Sequence, residues 1–347
     1  MNPEQQEVSP SEESDLVLRE SVPSPLNESP FAAQSPAEEE GVLAFKFGGS
    51  SLHGAERMLH AAGLVRGAAV QSPVCVVVSA MKGVTDRLLG VAQLLGQRQW
   101  KKARQEAEAV TELHRHTLRE LALEPDDQAR VEQELKLLGR DLIHQTPLDG
   151  PVAVDAALYD HLASFGERFS ARLFAAALTK VGVPAVPVAS SDFVLTCDNF
   201  RDARPYVEQT RRRGQEVLLP LLEARIVPVV TGFIGATQNG QITTLGRNSS
   251  DFSGALIAHV VDAEELVIWT DVDGIYTANP NEAAEARLLH ELSYDEAHAL
   301  AASGAKVLHP SVLPLAAQTK MTVWVRNTFR PHVRGTRIGR TQSGGVA

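Results

Sequence analysis

The sequence predicts an α/β protein with a mainly parallel central sheet covered by helices on both faces. Two observations carry this. Residues 42–47, 74–79 and 265–270 form short runs that are apolar almost throughout instead of alternating, as strands buried on both sides must be. Stretches with helical spacing separate such runs, which is the order of a parallel sheet with crossover helices. In sheets of this kind ligands sit at the carboxyl ends of the strands, so the loops there are the ones to read for chemistry.

The elements follow in order. After the strand at 42–47 comes a tight turn, Gly48-Gly49-Ser50-Ser51, with serine at a helix-capping position, and helical spacing continues to Leu64. The valine-rich strand at 74–79 leads into long charged helices over 84–95 and 101–121, interrupted at Pro125. An amphipathic helix is expected over 155–181, strands over 183–188 and 226–231, and a helix over 216–223 between them. A short strand at 243–245, a helix over 252–261, the strand at 265–270, a helix over 294–302 and a strand over 321–326 complete the domain.

Composition narrows the function. The 347 residues are 44% hydrophobic and 22% charged, ordinary for a globular protein. The net charge of −10 is concentrated in residues 1–40, which hold ten acidic residues and one arginine and leave about −1 for the rest. That Ser/Pro/Glu-rich tail is expected to be disordered, a solubilising extension or a docking tail. The near-neutral remainder offers no basic field for nucleic acid. No apolar run is long enough to span a bilayer and no secretory signal stands at the N-terminus, so a cytoplasmic protein without membrane contact is expected. The two cysteines, Cys75 and Cys197, make neither a zinc spacing nor a disulfide framework.

Four strand-end motifs could carry chemistry. Lys46 lies inside an apolar strand, where an ammonium needs an anion beside it. Gly48, Gly49 and Ser50 follow, and lysine, turned amides and a helix start together suit a phosphate, although the string is no P-loop and a structural lysine beside a glycine turn remains an equal reading. In Gly246–Asp251, Arg247 can grip a carboxylate in bidentate fashion, and Asp251 can cap a helix, orient a lysine or hold a metal-bound phosphate. In Trp269–Tyr276, Thr270 and Asp271 at the strand tip and Tyr276 beyond suit adenosine. In Gly304–Pro310, Lys306 is a second lysine near a helix boundary, and His309 reads as a packing or capping histidine. Ser79 and Thr85 present hydroxyls at the sheet edge. Glu167 is an inward carboxylate on an apolar helix that needs a cationic partner, either a substrate amine or a protein arginine.

The strings KFGGSS, GFIGA, GRNSSD, WTDVDGIYT and GAKVLHP, in this order, resemble the aspartate kinases of the amino acid kinase family over about residues 42–338. The resemblance implies an αβα sandwich of the carbamate kinase-like fold. It implies an acceptor lobe over about 41–225, an ATP lobe over about 226–338, and a flexible C-terminus over 339–347. It implies phosphorylation of the side-chain carboxylate of L-aspartate by ATP with Mg2+, the first step towards lysine, threonine and methionine. Lys46 would stabilise the transferring phosphoryl group and Asp251 would organise the lysines. Ser79, Thr85, Glu167, Arg247 and Ser250 would hold aspartate, with Glu167 on its amino group. Lys46, Gly48, Gly49, Ser50, Thr270, Asp271, Tyr276, Lys306 and Val307 would line the nucleotide pocket. No side chain is assigned to a metal. A homo-oligomer such as a dimer is expected, or a chain that partners a separate regulatory subunit.

Three departures stand out. Asn281 occupies a position where the family places an arginine on the ATP phosphates. Ser249 occupies a position where the family usually has glycine, and it brings strain if the backbone there has φ > 0. The family's ACT domains or fused dehydrogenase normally begin near Ile338, so ACT-mediated feedback is expected to be absent unless the chain is a fragment or another subunit supplies it. A kinase for another small carboxylate, or a weakly active regulatory subunit that binds ATP or amino acid, are the alternatives.

Overall fold

A strand buried on both faces must be apolar on both faces, and β1 (Leu43–Phe47) meets that condition except at Lys46. The computed structural model describes residues 41–148, 153–246, 249–278, 283, 285–302, 308–309 and 311–340. The acidic tail and residues 341–347 lie outside them.

In chain order, β1 leads through a 3-10 turn (Gly49–Leu52) to α1 (Ala55–Ala69), and β2 (Val74–Val78) follows. Four helices come next: α2 (Val84–Gly96), α3 (Trp100–Leu121), α4 (Pro125–His144) and α5 (Ala156–Lys180). Pro125 stands in the first turn of α4, where its missing N–H costs nothing, and Asp155 caps α5 by accepting the Leu158 N–H at 2.8 Å. Then come β3 (Ala185–Val188), α6 (Val207–Glu223), β4 (Val227–Thr231), the hairpin of β5 (Ile234–Ala236) and β6 (Ile242–Thr244), α7 (Ser250–Val260) and β7 (Glu265–Thr270). Two small pairs of strands, β8 (Ile275–Tyr276) with β9 (Leu288–Leu289) and β10 (Glu291–Leu292) with β12 (Thr336–Ile338), flank α8 (Tyr294–Ala302), α9 (Val312–Thr319) and β11 (Thr322–Asn327).

The main sheet has the order β10-β12-β11-β7-β1-β2-β4-β3, parallel except where β12 runs against β11. β4 comes from the later half of the chain yet sits between β2 and β3. Alternation sorts the side chains. Phe45, Phe47, Val76 and Val78 join the core beneath α1 to α5, while Ala44, Cys75 and Val77 join the core beneath α6 to α9. This is the expected αβα sandwich. Lys46 therefore points to the face that α7 covers.

Two expectations need correction. Serine does not cap a helix after β1: the chain makes a 3-10 turn and α1 begins only at Ala55, so the helix start near the glycine turn is displaced. Helix α6 begins at Val207, not near 216.

One buried carboxylate ties the layers together. Asp160 of α5 accepts the Arg201 N–H, the Thr244 N–H and the Thr244 hydroxyl, each at 2.8 Å. An Asp160→Ala substitution leaves these donors without a partner and should lower stability by about 3 kcal/mol in urea unfolding. A loss below about 1 kcal/mol would mean that the three bonds matter little.

Candidate active site

The order of the sheet reverses at β1. The chain moves from β1 to β2 on one side and later returns to β7 on the other, and the loops part there. A cleft of about 910 Å³ opens at the carboxyl ends of β1, β2 and β7. Among the residues that line it are Lys46, Gly48, Gly49, Ser79, Thr85, Glu167, Ser250, Asp251 and Thr270, so residues spread across the sequence meet in one place.

Lys46 is 7% exposed, and its Nζ lies 2.7 Å from Oδ1 of Asp251 in the first turn of α7. The pair answers the question that a buried lysine poses: a carboxylate offsets its charge, and both groups stay on the cleft wall. Gly49 sits where a Cβ would come 2.6 Å from the Ala80 carbonyl, so only glycine lets this turn lie against the β2–α2 loop. The Lys82 N–H donates to the Gly49 carbonyl at 3.1 Å, and the Gly48 N–H donates to the Trp269 carbonyl at 3.2 Å. The glycine turn is thus fastened to the loop after β2 and to the end of β7. Helices α2 and α7 both start at the cleft, and the amides of a first turn have no intrahelical partner.

Glu167 is buried, 2% exposed, on the wall opposite. Oε1 accepts the Ala80 N–H at 3.0 Å, while Oε2 has no hydrogen-bond partner among the described residues. Burial pushes the carboxyl up to about 8, against the smaller opposing effects of the backbone hydrogen bonds and of Lys46. Among the described residues no arginine serves it: neighbouring Arg168 bonds Asp141 at 3.3 Å and lies over the Phe165 ring. Gly166 allows the approach, since a Cβ there would meet that of Ala80 at 2.6 Å.

On the other side Thr270 lines the cleft and its hydroxyl donates to Asp271 at 3.3 Å. Tyr276 is further from the centre, and its hydroxyl donates to Asp273 at 3.4 Å. Burial and the Asp273 carboxylate raise its phenol. Ser50 sits on the 3-10 turn and its carbonyl accepts from Arg57 at 2.8 Å. His309, expected to pack or cap, does both: its ring stacks on Phe252 and Nδ1 accepts the Ser311 N–H at 3.3 Å. It also reaches the cleft wall, and burial lowers it so that it stays neutral near pH 7. Arg247, Lys306, Val307 and Asn281 lie outside the described residues. Ser249 has φ −78°, so serine brings no strain there. Sequence reasoning missed Lys82, Phe233 and Leu308 in the cleft wall. Only the loop position of Lys82 could have suggested it.

The site thus joins a charge-paired lysine at the switch point of a parallel sheet, glycine-shaped turns and a buried carboxylate in one cleft. The chain belongs to the amino acid kinase family, whose sequence profile matches residues 42–327. It is 32% identical over 322 residues to aspartokinase 1, chloroplastic, of Arabidopsis thaliana, covering 91% of this chain and 55% of that protein. It is 32% identical over 299 residues to lysine-sensitive aspartokinase 3 of Escherichia coli (strain K12), covering 86% and 64%. The crystal structure of E. coli aspartokinase III in complex with aspartate and ADP superposes with a TM-score of 0.78 at 31% identity, covering 88% of this chain and 66% of that one. The chain thus spans only part of these relatives. Among the described residues no helix is long and apolar enough to cross a membrane.

Proposed function

We propose that the chain transfers the γ-phosphoryl group of ATP, bound with Mg2+, to the side-chain carboxylate of L-aspartate. The observation that carries this reading is Oε2 of Glu167, a buried carboxylate oxygen on the cleft wall that has no hydrogen-bond partner among the described residues. Such a group calls for a ligand that brings an ammonium, which favours an amino acid over a phosphate or a nucleotide as acceptor. The similarity to the aspartokinases, one of them solved with aspartate and ADP, supports the choice of amino acid.

A carboxylate is already nucleophilic, so the reaction needs no strong base. The acceptor oxygen attacks the γ-phosphorus, a new carboxyl oxygen–phosphorus bond forms, the bond to the β–γ bridging oxygen breaks, and ADP leaves with that electron pair. The protein's work is to place two anions in line and to offset their charge. Lys46 supplies positive charge between them, oriented by Asp251. Glu167 holds the amino group, Thr85 and Ser79 offer hydroxyls to the acceptor, and Ser250 with the start of α7 offers amides. Arg247 takes an acceptor carboxylate, and Thr270, Asp271, Tyr276, Lys306 and Val307 face the nucleotide. The Mg2+ that arrives with ATP offsets charge on the phosphates.

Incubation with L-aspartate, Mg-ATP and hydroxylamine should yield aspartyl hydroxamate, because the acyl phosphate is trapped by the amine. Succinate, which has both carboxylates and no amine, should react far more slowly, by about a hundredfold or more. Equal rates for the two acids would overturn the role given to Glu167, and no hydroxamate with aspartate would overturn the reaction.

A further inference from the structure

The carboxyl end of β11 reaches both sides of the nucleotide half of the cleft, although residues 327–330 lie far from either side in sequence. Thr328 is fully buried, and its Oγ1 lies 2.6 Å from the Oγ of Ser51, itself fully buried, at the end of the glycine turn. The Thr328 N–H donates to the Thr270 carbonyl at 2.8 Å, and the Thr328 carbonyl lies 2.7 Å from Nε2 of His60 on α1. Next to it, the Asn327 Nδ2 donates to Oδ1 of buried Asp273 at 2.7 Å, and Arg330 pairs with the same carboxylate at 2.6 Å. The Asn327 Oδ1 accepts the Phe329 N–H at 2.9 Å, which fixes the turn out of the strand. Arg57 closes the arrangement, with its guanidinium 4.9 Å over the Phe329 ring while it bonds the Ser50 carbonyl.

We propose that residues 327–330 form a strut that holds the glycine turn at a set distance from the tip of β7, with Thr328 and Asn327 as positioning residues for the nucleotide. Neither touches substrate. Thr328 acts through Ser51 and Thr270, Asn327 through Asp273 and so through the loop that carries Asp271 and Tyr276. The acceptor end does not share this support. Glu167 is held by the Ala80 N–H, and Ala80 belongs to the β2–α2 loop. Loosening the strut should therefore weaken nucleotide binding and leave the acceptor's grip in place. This inference rests on the proposed phosphoryl transfer for its kinetic form.

The test compares Thr328→Val, which keeps shape and loses the hydroxyl, with Thr328→Ser, which keeps the hydroxyl. The valine variant strands a buried serine hydroxyl, and the KM for Mg-ATP should rise about tenfold while the KM for L-aspartate stays within about twofold. The serine variant should return the ATP value to within about twofold of wild type, whatever happens to its Tm. Adding Ser51→Ala to Thr328→Val should cost little more, since both remove one shared bond. An unchanged ATP KM in Thr328→Val, or a serine variant as impaired as the valine one, would overturn the strut. If the wild-type protein forms no hydroxamate, the reaction has failed and not the strut. Calorimetric titration with ADP then decides it: weaker binding in Thr328→Val upholds the strut, and equal affinity overturns it.

Discussion

A Lys46→Ala protein should fold and yet show at least a thousandfold less hydroxamate formation than wild type. The geometry explains the size of this effect. Lys46 is held at the middle of the sheet by β2 on one side and β7 on the other, with its ammonium fixed on the cleft wall by Asp251. Its removal does two kinds of damage. The charge that offsets the transferring phosphoryl group is gone, and Asp251, which the ammonium neutralises at 2.7 Å, is left as a bare carboxylate facing the substrate phosphates. The loss should therefore appear in kcat and in nucleotide affinity together. The double variant Lys46→Ala/Asp251→Ala separates the two: nucleotide affinity should recover while kcat stays low. The fold should survive, because the ladders from β1 to β2 and β7 are made by backbone and Asp251 is left on an open cleft wall where water can reach it. Circular dichroism and a thermal melt check that point. Activity within tenfold of wild type in a folded Lys46→Ala protein would remove Lys46 from the catalytic role given to it here.

How much of this could be read from the residues alone depends on where each signal is stored. The central strands were legible because a parallel strand buried on both faces has no polar alternation to hide it: β1, β2 and β7 each lie within a residue or two of their expected bounds. The first half of α6 was not legible. Its run of arginines and Gly214 reads as a loop, but Gly214 is there for close packing: a Cβ would meet Val260 at 2.6 Å and Phe193 at 2.9 Å. Helix α9, eight residues with a proline at its third position, is held by the core it covers more than by its own propensity. Strand β12 is three residues long and owes its existence to β11 and β10. At the site, the residue types at strand ends were legible and their pairings were not. Nothing local ties Lys46 to Asp251, or Ser51 to Thr328 across 277 positions. Glu167 shows the gain most clearly: the sequence left a substrate amine and a protein arginine as equal partners, and Arg168 is engaged elsewhere, with Asp141 and Phe165.

Binding of L-aspartate near pH 7 should release about one proton from Glu167, and the Glu167→Gln variant should neither release it nor bind the amino acid well. Burial raises this carboxyl to about 8 from an ordinary value of 4.5, so the free protein at pH 7 holds it mainly as the neutral acid. An incoming ammonium favours the ionised form, pulls the value down and expels the proton. In calorimetry the binding enthalpy should then vary with the ionisation enthalpy of the buffer with a slope near one proton, and the slope should fade above pH 9. Glutamine copies the neutral acid in shape and can still accept the Ala80 N–H through Oε1, but it cannot supply an anion. We expect the KM for aspartate to rise by about a hundredfold and the KM for ATP to move little. The sign for stability runs the other way from that of a salt-bridged carboxylate. The native state binds this proton more tightly than the unfolded chain, so its contribution is full below pH 4.5 and is lost as pH rises through 8. Between pH 6 and pH 8.5 wild type should therefore lose about 2 kcal/mol relative to Glu167→Gln in urea unfolding without ligand. A wild-type protein whose aspartate binding shows no buffer dependence, and whose stability runs parallel to that of the glutamine variant across this range, would mean that Glu167 is already ionised in the empty cleft and that something other than a substrate amine satisfies its second oxygen.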